Sequence, residues 1–283
     1  MTDWLVTTEW LADHLKDTDL VVLDCSWYLP EVGKHAVDDF RSGHIPGARF
    51  LDLTAISDPD SPYANMLPPA AQWAVEVGRL GIGNDSLVIV YDAGYVSARL
   101  WWMFRIFGHD KVRILDGGWR KWKAEGRPVE TGDGPAPVAR TFVPRLREGM
   151  VAGWRDVLAA ISARAPAIVD ARTATRFAGT MPSGYPGVES GHMPGAINIP
   201  WEKFFDPARN FSFVDEAAAE RLFAENGVDT GRSVITTCGS GVTAAILGFM
   251  LERSGHLGWK LYDGSWHEWA QLPDVPKQKT PAG

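Results

Sequence analysis

Short apolar runs closed by Gly, Pro, Asp or Asn alternate along this chain with stretches whose apolar residues recur at helical spacing. The pattern is clearest in the second half. There "AIVD" (167–170), "AINIP" (196–200) and "WKLYD" (259–263) predict strands, and "SVITT" (233–237) predicts a buried one. Between them, 215–226 carries Ala219, Leu222 and Phe223 at helical spacing, and 242–253 predicts a second helix. Strand and helix alternation of this kind predicts an α/β fold with a largely parallel sheet covered on both faces. Ligands of such sheets bind at the carboxyl ends of the strands.

The pattern repeats once. "GHIPGA" at 43–48 returns as "GHMPGA" at 191–196, an offset of 148. "VVLD" returns as "AIVD" and "LVIVYDAG" as "SVITTCGS", both offset by 146; "DGGWRKW" returns as "DGSWHEW", offset by 147. Four marks in one order with nearly one offset are an internal duplication, so two domains of one fold are expected. The stretch 125–149, rich in Pro and Gly, reads as a surface linker. The expected domains are 1–145, which includes the linker 125–145, and 146–283.

Composition narrows the partners. With 283 residues, 45% of them hydrophobic, and 13 tryptophans, the chain can bury a full core. A net charge of −7 gives no global reason to bind nucleic acid. The longest helix-like apolar run, 242–251, is too short to span a bilayer, so no membrane is expected. "MTDWLVTTEWL" has neither a basic nor a continuous apolar segment of secretory type. Cys25 and Cys238 alone make no disulfide framework. A reducing, cytoplasmic setting is the expectation.

Candidate chemistry sits at "TTCGSGVTAA" (236–245), where Cys238 stands between a strand and a helix. Gly239, Ser240 and Gly241 allow a tight turn, so that the N–H groups of 238–243 can point inward at the sulfur. A nest of this kind lowers a cysteine pKa from about 8.5 and stabilises anionic sulfur. Ser240 and Thr243 add hydroxyl donors. A small buried structural cysteine is the alternative for the turn taken alone. In the first copy the matching residue is Asp92, which cannot act as a thiol nucleophile, so one active turn per chain is expected. His44 and His192 recur in both copies and read as architectural. Trp119, Trp122, Trp266 and Trp269 read as packing residues or contacts between domains.

The duplication, the "CGSGVTA" turn, "LDCSWYLP" (23–30), "SPYANMLP" (61–68), "WWMFRIFGH" (101–109) and "YDGSWHEW" (262–269) together resemble the tandem rhodanese-domain sulfurtransferases, over nearly the whole chain. Rhodanese (thiosulfate sulfurtransferase) and the mercaptopyruvate sulfurtransferases belong to that family. The resemblance implies two rhodanese-like α/β domains, a silent first one, and a second whose Cys238 carries sulfane sulfur as a persulfide. The turn 239–243 (Gly239, Ser240, Gly241, Val242, Thr243) matches the mercaptopyruvate branch, and Arg176 matches the arginine that grips the donor's anionic group. Cys25 matches a small packing position. Three places depart from that branch: Tyr185 stands for a second arginine, Asn65 for a histidine and Thr54 for an acidic residue, so a Ser–His–Asp relay onto Ser240 looks incomplete.

The expected reaction is a ping-pong transfer from a small anionic donor, 3-mercaptopyruvate or alternatively thiosulfate, to a thiol, cyanide or thioredoxin-like acceptor. No metal or other cofactor is implied. A cysteine phosphatase would want an arginine at 244, where the chain has Ala. A non-turnover persulfide carrier for a partner protein is the remaining alternative.

Overall fold

The computed structural model describes residues 4–280. Two five-stranded sheets form. The first contains β1 (Leu5–Val6), β2 (Leu20–Asp24), β3 (Arg49–Phe50), β4 (Leu87–Tyr91) and β5 (Val112–Leu115), in the order β1-β5-β4-β2-β3. The second contains β6 (Val151–Ala152), β7 (Ala167–Asp170), β8 (Ile197–Asn198), β9 (Val234–Thr237) and β10 (Trp259–Tyr262), in the order β6-β10-β9-β7-β8. The two orders are the same, and the strand pairs run parallel. Duplication in sequence is therefore duplication in topology.

The inner strands explain the unbroken apolar runs: all four residues of β9 are buried, as are Val88 to Tyr91 of β4. A strand covered on both faces has no polar side to alternate with. The following helices, Ser97–Ile106 and Ala244–Arg253, are buried along most of their length, so their apolar residues face all round rather than on one stripe. The second helix begins at Ala244 rather than at 242 as the pattern predicts. Gly241, at φ +76°, keeps Val242 and Thr243 in the turn. "AINIP" pairs only through Ile197 and Asn198, on the edge of the sheet, because Pro200 closes the strand.

The chain forms two compact units. The first comprises the chain up to Pro59, Leu67–Arg147 and Asp206–Phe213; the second comprises Asp60–Met66, Glu148–Phe205 and the chain from Val214 on. Asn65 therefore belongs to the second unit.

Both histidines of the repeated turn do the same work. His44 Nδ1 lies 2.9 Å from Phe40 O with its ring stacked on Phe40, and its backbone bridges to Glu130. His192 Nδ1 lies 2.8 Å from Phe177 O, stacks on Phe177, and bridges to Gln278. Trp122 and Trp269 are fully buried and donate their indole N–H to Pro128 O and Pro276 O. Trp266 is buried as well, under the guanidinium of Arg172, whereas Trp119 is half-buried. Arg172 also makes a buried bidentate pair with Asp170 at the end of β7.

Cys25 is fully buried at the end of β2 and donates its thiol to Tyr91 O at 3.2 Å. Burial, and then the nearby Asp92 and Asp24 charges, push that thiol's pKa well above its ordinary value. A neutral, inaccessible thiol is a packing group.

Candidate active site

Cys238 follows β9 directly, at the carboxyl end of the central strand, and is 2% exposed. Two features shape its turn. The helix Ser265–Trp269 donates Trp266 N–H to Cys238 O (3.0 Å) and His267 N–H to Gly239 O (2.8 Å). Those bonds hold the first two carbonyls of the turn away from the sulfur. Ser265 then accepts the Cys238 and Gly241 N–H groups on its Oγ, both at 3.1 Å, while its own hydroxyl donates to Tyr262 O at 2.8 Å.

This corrects the expected cradle, in which all six N–H groups of 238–243 face the sulfur. Two of the six are held by Ser265. The N–H groups of Gly239, Ser240, Val242 and Thr243 have no acceptor among the described residues.

The first unit shows what these groups do. At the matching turn, the Asp92 carboxylate accepts the N–H groups of Gly94, Val96 (2.7 Å) and Ser97 (2.5 Å). Trp119 N–H donates to Asp92 O at 2.9 Å, as Trp266 N–H does to Cys238 O. Ser240, Val242 and Thr243 occupy the positions of Gly94, Val96 and Ser97. The first unit thus carries its own carboxylate in the cradle, covalently attached, where the second unit carries a thiol.

Ser265 was not among the sequence candidates. It has φ +49°, a backbone region costly for a residue with a side chain, and its counterpart in the first copy is Gly118 at φ +50°. The exchange of "GG" for "GS" inside the repeated "DG-W" motif was the available signal.

Ser240 gathers the other elements. Its Oγ accepts from Asn65 Nδ2 at 2.8 Å and from Tyr185 OH at 2.5 Å. A hydroxyl oxygen with both acceptor sites filled has only its own proton left to give. The Tyr185 ring also borders Gly239, where an added Cβ would lie 3.3 Å from it, and stacks on His267 with ring centroids 4.4 Å apart. His267 Nδ1 accepts the Ala64 N–H at 2.9 Å, which fixes the loop that carries Asn65. Burial lowers the His267 pKa, in keeping with an imidazole that must remain neutral to accept there. Asn65 adopts φ +61°, a conformation asparagine tolerates better than most residues.

Arg176, on the short helix Ala174–Ala178, donates Nη1 to Ser183 O at 3.3 Å. Its guanidinium packs over Gly184 so closely that a side chain there would collide with it. The residue after Gly184 is Tyr185, so one loop ties Arg176 to Ser240. Thr54 lies in the first unit, where its hydroxyl accepts the Trp27 indole N–H at 3.1 Å.

The rhodanese-like domain model matches this chain twice, over residues 7–125 and 154–272. The chain belongs to the rhodanese family. Its two rhodanese domains are similar end to end to curated sulfurtransferases. The 3-mercaptopyruvate sulfurtransferase of Rattus norvegicus is 41% identical over 275 residues, 94% of this chain and 91% of the relative. The thiosulfate sulfurtransferase of Gallus gallus is 37% identical, covering 94% of this chain and 92% of that one. Among solved structures, SseA from Escherichia coli superposes with a TM-score of 0.85 at 34% identity, over 94% of this chain and 99% of that one. Relatives named for either donor stand at comparable identity, so the donor has to be argued from the site.

Proposed function

We propose that this sulfurtransferase takes sulfane sulfur from 3-mercaptopyruvate onto Cys238 and passes it to a thiol or cyanide acceptor. In the first half-reaction the Cys238 thiolate attacks the donor sulfur. A sulfur–sulfur bond forms, the donor's carbon–sulfur bond breaks, and its electron pair goes to the methylene carbon, so pyruvate leaves as its enolate and takes up a proton. In the second, the acceptor attacks the outer sulfur of the persulfide and Cys238 leaves as thiolate.

The observation that carries this reading is the Asp92 comparison. N–H groups that hold a carboxylate in the first copy have no acceptor among the described residues in the copy that has Cys238, so a persulfide anion there meets preorganised donors. Ser240 Oγ, filled by Asn65 and Tyr185, directs its proton toward the oxygen that becomes enolate. Arg176 grips the donor carboxylate bidentately.

Thiosulfate is the weaker fit. A dianion calls for cations on the turn itself, but 239 and 240 are Gly and Ser, and the Tyr185 ring lies against Gly239. Two free, buried thiols suit a reducing compartment such as the cytoplasm.

The test compares kcat/KM for 3-mercaptopyruvate and thiosulfate with one acceptor. Mercaptopyruvate is expected to be preferred, and Arg176→Ala to lower both. A preference for thiosulfate would overturn the role given to Ser240. Steady turnover with a small thiol also separates an enzyme from a persulfide carrier.

A further inference from the structure

We propose that the second unit carries, at the amino ends of its strands, a docking groove for an extended acidic segment of a partner protein, floored by Ile161, Ile168 and Ile197 and flanked by Arg164 and Arg232. The groove has a volume of about 860 Å³. Ile168 and Ile197 lie at the starts of β7 and β8, and Ser233, which also lines the groove, precedes β9. Cys238 stands at the other end of β9, so the groove is separate from the sulfur site.

The first unit shows what covers such a place, because the same surface exists there in duplicate. The segment 138–147 runs across it. Arg140 N–H donates to Gly78 O (2.9 Å), Val143 exchanges two hydrogen bonds with the Asn84 side chain, and Arg145 N–H donates to Phe107 O. Arg140 Nη2 donates to both carboxylate oxygens of Asp85, at 2.7 and 2.9 Å. Arg49 fills the remaining space from β3 and donates to Leu80 O. Gly78, Gly81, Gly83 and Ser86 are buried as a result.

In the second unit the counterparts Ala224, Gly227, Asp229 and Arg232 are all exposed. An added Cβ at Gly81 would meet Arg49 Nη1 at 2.7 Å and Val138 O at 2.9 Å; at Gly227 it would meet nothing within 4 Å. The strand register pairs Leu23 with Arg49 and Val169 with Ile197, so Ile197 takes the place of the arginine that plugs the first unit. An apolar floor replaces a guanidinium. Ala224 in place of Gly78 narrows one end, since a Cβ at Gly78 would lie 2.5 Å from Arg140 O. The occupant accordingly passes over Gly227 and toward Ile197.

Charge selects the occupant. In the first unit the covered surface offers Asp85 and the covering strap brings Arg140. Here the surface offers Arg232 at the place of Ser86 and Gly231 at that of Asp85, with Arg164 across the groove; the one carboxylate of the lining, Asp229, accepts the Gly231 N–H at 3.0 Å, so two arginines outweigh it. Neither Arg164 nor Arg232 forms an ion pair among the described residues. The polarity is reversed, and a strap with carboxylates and apolar side chains is its complement.

The probe is a fluorescein-labelled peptide copying residues 135–146 with glutamate in place of both arginines, titrated against the full chain by fluorescence anisotropy. Saturable binding is expected, at least tenfold tighter than for the same peptide with its arginines kept. Arg164→Glu with Arg232→Glu should weaken it at least tenfold. Ile197→Arg, which restores the plug of the first unit, should do the same, and retained sulfur transfer checks the fold of each variant. Absence of saturable binding, equal binding of an unrelated polyglutamate peptide of the same charge, or unchanged affinity in the folded charge-reversal variant would overturn the proposal.

Discussion

Tyr185 donates its hydroxyl to Ser240 Oγ at 2.5 Å, from a ring stacked on His267 and pressed against Gly239. The phenol and Asn65 Nδ2 together fill the acceptor sites of that serine oxygen. Tyr185→Phe removes one of two donors and frees the Ser240 proton to rotate. A lost hydrogen bond of about 1–1.5 kcal/mol lowers kcat with mercaptopyruvate roughly tenfold. KM and thermal stability should barely change, and steady-state kinetics beside a melting curve reads both. Asn65→Ala should act in the same direction, and the double variant should lose less than the sum of the singles because both act on one oxygen.

Ser265→Gly separates backbone strain from hydrogen bonding. Glycine suits φ +49° better than serine, as Gly118 shows in the first unit. The substitution nevertheless leaves the Cys238 and Gly241 N–H groups without their acceptor. Each unpaired buried donor costs about 1–3 kcal/mol. A net fall in stability, with at least tenfold slower persulfide formation in stopped-flow with mercaptopyruvate, is expected; a stabilised and fully active variant would refute the role of Ser265.

Much of this was legible in the sequence. The repeated marks and the buried runs at β4 and β9 pointed to the duplicated parallel fold, and "TTCGSG" pointed to the turn that carries Cys238 at the end of β9. Two things were not legible. The role of Ser265 depends on a backbone conformation that single-residue identity does not encode. The role of Tyr185 depends on bringing its loop against Ser240, 55 positions later, a long-range contact with no local pattern. Asn65 read as leaving a relay onto Ser240 incomplete while still able to donate a hydrogen bond; that its partner is Ser240 itself, 175 positions away, is a long-range contact.

Asp92→Ala tests the cradle of the first unit. The change removes the carboxylate and leaves the N–H groups of Gly94, Val96 and Ser97 unpaired in a largely buried turn. A destabilisation of about 3 kcal/mol or more is expected in urea unfolding. Asp92→Asn, which keeps one acceptor oxygen, should lose less.

The acid limb of activity follows from His267. Burial holds its folded pKa below the ordinary 6.5, so between those values the unfolded chain binds a proton that the folded chain does not. Its contribution to stability is therefore complete above 6.5 and is lost as pH falls through the lower, folded pKa. Protonation at Nδ1 also breaks the Ala64 bond that seats Asn65. Transfer from mercaptopyruvate should fall on acidification below pH 6.5, and His267→Gln should flatten that limb while lowering the plateau. An unchanged limb in the variant would assign it to another group.

Intact-mass measurement after incubation with 3-mercaptopyruvate, without acceptor, tests the central claim most directly. One added sulfur per chain is predicted, because Asp92 occupies the first cradle and Cys25 is a buried, neutral thiol. The added mass should vanish in Cys238→Ser and persist in Cys25→Ser. Two added sulfurs, or one that survives Cys238→Ser, would contradict Cys238 as the sole carrier.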